Sequence, residues 1–240
     1  MRQVPRIERP KRIRQPDRYG ALLVLIGVDC VLIFSAGHRG PSRWLPAVLV
    51  GLTVLVGLDT SQVRGWWVNP TRVAAVAVAA AAVVDGVEGT DWTLGVLGVL
   101  QAAVLAILVV AIISRFLQHQ QVTEQTVLAV ICVYVLFGLI FALLIFGVNG
   151  ITGRQFFVQN PTPTFADFVY FSFVVLTTLG FGDLTPATDG GKAVVAFEAL
   201  LGQLFLVTVV SRLVSLYTRT KRSIAAATSA EPPPETPPDE

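Results

Sequence analysis

Six apolar runs, at 19–37, 44–58, 72–84, 92–116, 126–148 and 192–217, decide most of what this 240-residue chain can become. A helix that crosses the hydrocarbon core of a bilayer needs about 20 apolar residues, whereas a helix in water must keep a polar face that these runs lack. Only 14% of the residues are charged and the mean hydropathy is +0.67, against about 25% charged residues in ordinary soluble domains. The expected fold is therefore an all-α integral membrane protein with six transmembrane helices. A seventh run, 165–178, is too short to span and reads as a re-entrant segment, because irregular backbone at membrane depth is tolerated only within protein or beside a water-filled path. The second and third runs are marginal in length. Asn69-Pro70-Thr71 separates the third from Trp66-Trp67, a pair suited to an interfacial anchor.

Charge sets the orientation. Seven basic residues (Arg2, Arg6, Arg9, Lys11, Arg12, Arg14, Arg18) precede the first run, with only Glu8 and Asp17 against them, and such an arm is retained in the cytoplasm. Because it abuts a span, positive-inside retention or anionic headgroups account for it, and nucleic-acid binding is not expected. Arg64, Arg72, Arg115, Arg219, Lys221 and Arg222 fall on the same side in a six-span topology, while the outer loop 85–91 is acidic; Arg39 and Arg43 run against the pattern. Both termini are thus expected in the cytoplasm of a cell-membrane protein. A cleaved signal peptide fits the first run poorly, since Asp29 interrupts it and no A-x-A site follows. Cys30 and Cys132 lie inside apolar runs and suggest neither a disulfide nor a metal site. From Ser223 the chain becomes a proline-rich acidic tail, a composition that buries no core and is expected to stay disordered. No internal repeat is visible, so a symmetrical pore would have to come from several chains.

The informative stretch is FADFVYFSFVVLTTLGFGD, from Phe165 to Asp183. Thr164 and Asp167 have the spacing of a capping box, so a short helix is expected to start there. Its carboxyl end carries about half a negative elementary charge and favours a cation at mid-membrane depth. Thr178-Leu179-Gly180-Phe181-Gly182 follows, with glycines at alternate positions, where the backbone can take conformations that side chains resist and successive carbonyls can face one axis. Rings of carbonyl oxygen replace the hydration shell of a monovalent cation without using ionised groups.

Here the sequence resembles the potassium channel family, whose filter is usually written TVGYGD and stands in this chain as Thr178-Leu179-Gly180-Phe181-Gly182-Asp183. The resemblance covers the two-span pore module and implies a homotetramer that conducts K+ passively, with no cofactor. It assigns ion-coordinating carbonyls to Thr178, Leu179, Gly180 and Phe181, with Gly182 completing the filter and the Thr178 hydroxyl completing the innermost site. The side chains of Leu179 and Phe181 are implied to turn away and pack against the pore helix; Phe for Tyr removes a bracing hydroxyl. Tyr170 and Phe171 fall where the family has an aromatic cuff, and Tyr170 is placed to hydrogen-bond Asp183. Thr177 completes the filter support. Val174 stands where some members carry an acid behind the filter, a role for which Glu198 on the last span is a candidate. Gly202 matches the flexible inner-helix glycine.

The domains expected are a basic arm (1–18), a four-span peripheral unit (19–117), a cytoplasmic linker (118–125), a pore domain (126–218) and a tail (219–240). Within the pore domain the outer helix is 126–148, the pore helix 165–178, the filter 178–183 and the inner helix 192–217. The run 92–113 holds no Lys or Arg. One charge crossing the whole membrane is worth only about 2.3 kcal/mol per 100 mV, so Arg115 at the inner edge gives no steep voltage dependence. The expected partners are identical copies and the lipid bilayer, with anionic lipids at the basic arm. His119, in the linker, reads as solvated or headgroup-facing, and Asp29 as a structural acid with a donor on a neighbouring span. A non-selective monovalent cation channel is the nearest alternative. Gly180-Phe181-Gly182-Asp183 also fits the GxGD pattern of intramembrane aspartyl proteases over four residues, but that chemistry needs two facing carboxylates, and no enzyme activity is expected.

Overall fold

The computed structural model describes residues 18–35, 45–61, 68–88, 90–118 and 124–229. The basic arm up to residue 17, Arg39, Arg43, Trp66-Trp67, His119 with its linker neighbours 120–123, and the tail beyond residue 229 lie outside them. Among the described residues seven helices follow in chain order: α1 (Arg18–Ser35), α2 (Leu45–Ser61), α3 (Val68–Glu88), α4 (Asp91–Gln118), α5 (Glu124–Thr152), α6 (Phe165–Leu176) and α7 (Asp189–Ser229). The described secondary structure is thus helical apart from one isolated antiparallel bridge, Phe157 with Pro186. Three helical stretches, Asp91–Ser114, Gln125–Thr152 and Asp189–Arg212, are long and apolar enough to cross a membrane; Tyr19–Ser35, Val48–Asp59 and Phe165–Leu176 are shorter apolar helices.

The helix ends have local causes. At the start of α4 the Thr90 and Thr93 hydroxyls exchange hydrogen bonds with each other's backbone N–H at 3.1 and 3.3 Å, satisfying donors that a helix start leaves open. Helix α5 stops at Gly153, which takes φ +60° while its N–H reaches Asn149 O at 3.0 Å, a left-handed terminator that glycine adopts without a Cβ penalty. Helix α7 begins behind Thr188, whose Oγ1 accepts the Gly191 N–H at 3.1 Å. Pro70 sits inside the first turn of α3 instead of dividing it from what precedes, because a first-turn residue has no intrahelical N–H bond to lose. At the other end of the chain α7 runs on to Ser229, past Tyr217 where the inner helix was expected to stop and through the first residues of the expected disordered tail. Ala225, Ala226 and Ala227 are strong helix formers, and the first proline of the tail is Pro232.

Packing explains how the layers meet. Helices α4 and α5 approach backbone to backbone: a Cβ at Gly150 would lie 2.5 Å from Asp91 O, and one at Gly95 would lie 2.8 Å from Gly147 O. Only small residues allow so close a crossing, the usual device where apolar surroundings give no hydrophobic drive to association. One buried core runs through α1, α2, α4, α5 and α6, from Leu22 and Ile26 through Leu105 and Leu108 to Leu136, Phe157 and Phe168. The buried Asp29 accepts a hydrogen bond from the Thr53 hydroxyl of α2, the neighbouring-helix donor that the sequence leaves unnamed. At the exposed ends of α2 and α3, Arg72 pairs with Asp59 at 2.6 Å. Helix α7 behaves differently. Its Val194, Leu200, Leu204, Val207 and Val210 are all exposed, as is Phe197 although its ring meets Phe141 of α5, so a long apolar stripe of this helix stays largely uncovered among the described residues.

Candidate functional site

The site is built around α6 and the segment that follows it. Pro161 and Pro163 disfavour helix in the residues before them, and Thr164 then caps α6. Its backbone N–H donates to Asp167 Oδ2 at 2.7 Å and its hydroxyl to the same oxygen at 2.9 Å, while the Asp167 N–H returns to Thr164, which completes a capping box. On the buried face Phe168 and Phe171 join Phe146, Phe156 and Phe157 in a ring cluster whose centroids lie 5.0–6.2 Å apart, spacings at which edge-to-face contacts stabilise a pair by about 0.5–1.5 kcal/mol. Phe171, expected in an aromatic cuff, is thus a buried anchor of α6. Tyr170, beside it and half-buried, has its hydroxyl near the Asp183 carboxylate.

Beyond α6 the backbone turns sharply. The Thr177 N–H reaches Phe173 O at 3.0 Å and the Thr177 hydroxyl donates to the same carbonyl at 2.6 Å. The N–H groups of Leu179 and Gly180 both turn back onto Val174 O, at 3.0 and 3.3 Å. In a trans peptide the N–H and the preceding C=O point in opposite directions. Two N–H groups aimed at one helix-end carbonyl therefore turn the Thr178 and Leu179 carbonyls the same way, away from α6. Positive φ recurs at every second residue, +59° at Thr178, +56° at Gly180 and +78° at Gly182. Glycine makes two of these positions easy; the third is a side-chain-bearing residue in a region costing about 1–3 kcal/mol, which persists only where the surroundings over-determine it. Nothing in the residue type of Thr178 marks it for this conformation.

The segments flanking this turn hold each other. Val158 N–H bonds Thr185 O at 3.0 Å, Ala187 N–H bonds Phe156 O at 2.7 Å, and the Gln159 side chain accepts the Thr185 N–H at 2.9 Å. The loop that leads into α6 and the segment that leaves the turn therefore lie side by side. Leu179 and Phe181 depart from expectation: they are 60% and 64% exposed instead of packed on α6. With their carbonyl face and their side-chain face both open, residues 177–183 are exposed throughout.

Two supports come from the helices on either side. The Tyr134 hydroxyl of α5 donates to Leu176 O at 2.9 Å, tying down the last carbonyl of α6. Tyr134 also lies against Phe205 of α7, ring centroids 6.2 Å apart, and Phe137 meets the same ring edge-on at 5.2 Å. Sequence reasoning missed Tyr134, which stands as one aromatic among many in its apolar run. Removing only the hydroxyl, Tyr134→Phe, is expected to cost about 1 kcal/mol, read as a lower thermal midpoint in detergent with the helical circular-dichroism signal retained. From α7, the buried Glu198 is in hydrogen-bond contact with Ser172 of α6, and Gly202 is buried where α7 crosses Leu176. Helix α7 is continuous through Gly202.

The site thus consists of a capped short helix, a turn with alternating positive φ and carbonyls turned to one side, and two long apolar helices bracketing them. Residues 129–219 match the family model described as ion channel, which begins in α5 and ends in α7. The chain is also similar to a hyperpolarization-activated voltage-gated potassium channel of Methanocaldococcus jannaschii, 45% identical over 42 residues, which are 17% of this chain and 20% of that protein. The match thus spans about a fifth of the length of this curated relative. Both findings agree with the potassium channel resemblance of the Thr178–Asp183 motif, and the ion channel match over residues 129–219 outweighs the four-residue likeness to GxGD proteases.

Proposed function

We propose that the protein is a potassium-selective channel in which four identical chains surround one pore and conduct K+ passively. In this reading α1 to α5 and α7 are six membrane crossings, both chain ends are cytoplasmic, α6 is a re-entrant pore helix and 178–183 is the filter. The observation that carries it is the backbone of Thr178 to Gly182: positive φ at every second residue, with the Leu179 and Gly180 N–H groups folded back on Val174 O, turns carbonyls to one side without any ionised ligand. Carbonyls of Thr178, Leu179, Gly180 and Phe181 from several chains would replace the hydration shell of K+. The pairing of 156–158 with 185–187 supports re-entrance, since it brings the approach to α6 and the exit from the filter to the same level.

Self-association is supported by what one chain leaves open. Leu179 and Phe181 and the apolar stripe of α7 are exposed, and identical copies arranged in a closed ring would cover such faces. Helix α4 carries no Lys or Arg from residue 92 to 113, so gating by a charge-bearing fourth span is not part of this reading. The same reading keeps the expected division of domains except that the inner helix runs on to Ser229, with the four peripheral helices facing lipid and the basic arm near anionic headgroups.

The test is flux into liposomes holding the purified protein under imposed K+ or Na+ gradients, with barium as blocker. K+-driven, barium-blocked flux with little Na+ flux is the expected result. Comparable Na+ flux would establish the non-selective cation channel instead, and absence of both would overturn conduction.

A further inference from the structure

Ser172 sits at 0% exposure on α6, with Oγ 2.7 Å from Gly138 O of α5 and within hydrogen-bonding reach of Glu198 Oε1 on α7. A serine hydroxyl owns one proton, and a backbone carbonyl owns none. The contact with Gly138 O therefore consumes the Ser172 proton, and the contact with Glu198 needs a proton from the other side. An ionised Glu198 has none to give; a neutral carboxyl has one.

We propose that Glu198 carries a proton and donates it to Ser172 Oγ, which donates to Gly138 O, forming a one-directional relay that ties α7 to the pore helix and the pore helix to α5. Burial fits this assignment. Glu198 is 0% exposed and its Oε2 faces no donor among the described residues, a site that a bare carboxylate could occupy only at large cost. No cation is brought to it by its neighbours. Helices α5 and α6 contain no Lys, Arg or His, and their titratable groups with described side chains are Cys132, Tyr134, Asp167 and Tyr170. On α7 itself, Lys192 is engaged by Asp189 at 3.0 Å on an exposed surface, and Arg212 lies about four turns away in the opposite direction.

The relay touches the turn indirectly. Ser172 is two residues before Val174, whose carbonyl holds the Leu179 and Gly180 N–H groups. Glu198 is thus a positioning residue for the carbonyl-bearing segment, and this functional consequence rests on the channel reading above. Raising the pH until Glu198 ionises removes its proton, leaves Ser172 able to satisfy only one of two acceptors, and buries an unpaired charge beside the pore helix. Flux is therefore expected to fall as pH rises.

The assignment is tested first without any ion flux. Infrared spectra of the purified full chain at neutral pH, wild type minus E198Q, are expected to contain the C=O stretch of a protonated carboxylic acid; subtraction cancels other buried acids such as Asp29. S172A, which leaves Glu198 in place, is expected to shift that band to higher frequency by removing its acceptor, and serves if E198Q fails to fold. A neutral-pH difference spectrum showing only carboxylate bands overturns the relay while leaving the channel reading untouched. In liposomes, E198Q is expected to keep K+ flux and lose the alkaline fall of the wild type, because an amide can donate to Ser172 at every pH. E198A is expected to lower flux about tenfold through the unmatched groups it leaves. An alkaline fall that persists unchanged in E198Q would overturn the coupling of Glu198 to conduction.

Discussion

Gly180→Ala is expected to abolish potassium-selective flux while leaving the protein folded and helical. The two halves of that expectation come from different observations. A Cβ at Gly180 would meet no atom of the chain within 4 Å, so the substitution crowds nothing there; its cost lies in φ +56°, which an L side chain resists. That cost is about 1–2 kcal/mol per residue, and in a ring of four chains it applies four times, about 4–8 kcal/mol in all. The neighbouring turn has little reserve against it, since Thr178 already holds positive φ with a side chain attached. Relaxing Gly180 to negative φ would rotate its peptide planes and take at least one carbonyl off the common side. Gly190→Ala supplies the control: nothing lies within 4 Å of its Cβ position and its φ is not positive, so flux and selectivity should be unchanged. The comparison is read as the K+ to Na+ flux ratio in liposomes. Normal K+ flux and selectivity in Gly180→Ala would overturn the assignment of 178–183 as the filter.

What the sequence revealed, and what it hid, follows from the range of the interactions concerned. The capping box at Thr164 and Asp167 was legible because both partners lie within one turn and the chemistry of a helix start admits few residue types. Gly180 and Gly182 were legible because glycine at alternate positions is itself a backbone statement. Thr178 was not, because nothing in a threonine side chain announces positive φ; the conformation is imposed by the Leu179 and Gly180 N–H groups competing for Val174 O. Ser172 and Tyr134 were invisible for another reason. Their partners, Glu198 and Leu176 O, are 26 and 42 residues away, and a polar atom in an apolar run shows a need for a partner without naming it. Asp29 illustrates the same limit, since its burial predicts a donor on a neighbouring helix and only the fold supplies Thr53. The exposed Leu179 and Phe181 mark a third limit: in the tetramer proposed above their packing would come from neighbouring chains, which no single chain supplies.

Gly202→Val is expected to collapse both stability and conduction, and the reason separates two roles for this glycine. A flexible inner-helix glycine is what the family resemblance implies, whereas the geometry shows a close crossing. A Cβ at Gly202 would lie 2.6 Å from Leu176 Cδ1 and 3.2 Å from Leu176 O, the carbonyl that the Tyr134 hydroxyl holds. Leu176 is 1% exposed, so its side chain has little room to retreat. For alanine the terms nearly balance: overpacking costs about 1–3 kcal/mol, and replacing glycine within a helix returns about 1 kcal/mol. Valine adds two methyl groups to the collision and returns less propensity, so it should displace α7 from the end of α6. The expected order is therefore a small loss for Gly202→Ala and a large one for Gly202→Val, read as thermal midpoint in detergent and as K+ flux. Truncating the opposing side chain tells packing from bending. If the crossing dominates, Leu176→Ala in the Gly202→Val background should recover part of both losses, because space is returned at the contact. If bending at residue 202 dominates, flux should stay low in the double variant, since a β-branched residue stiffens the helix whatever faces it.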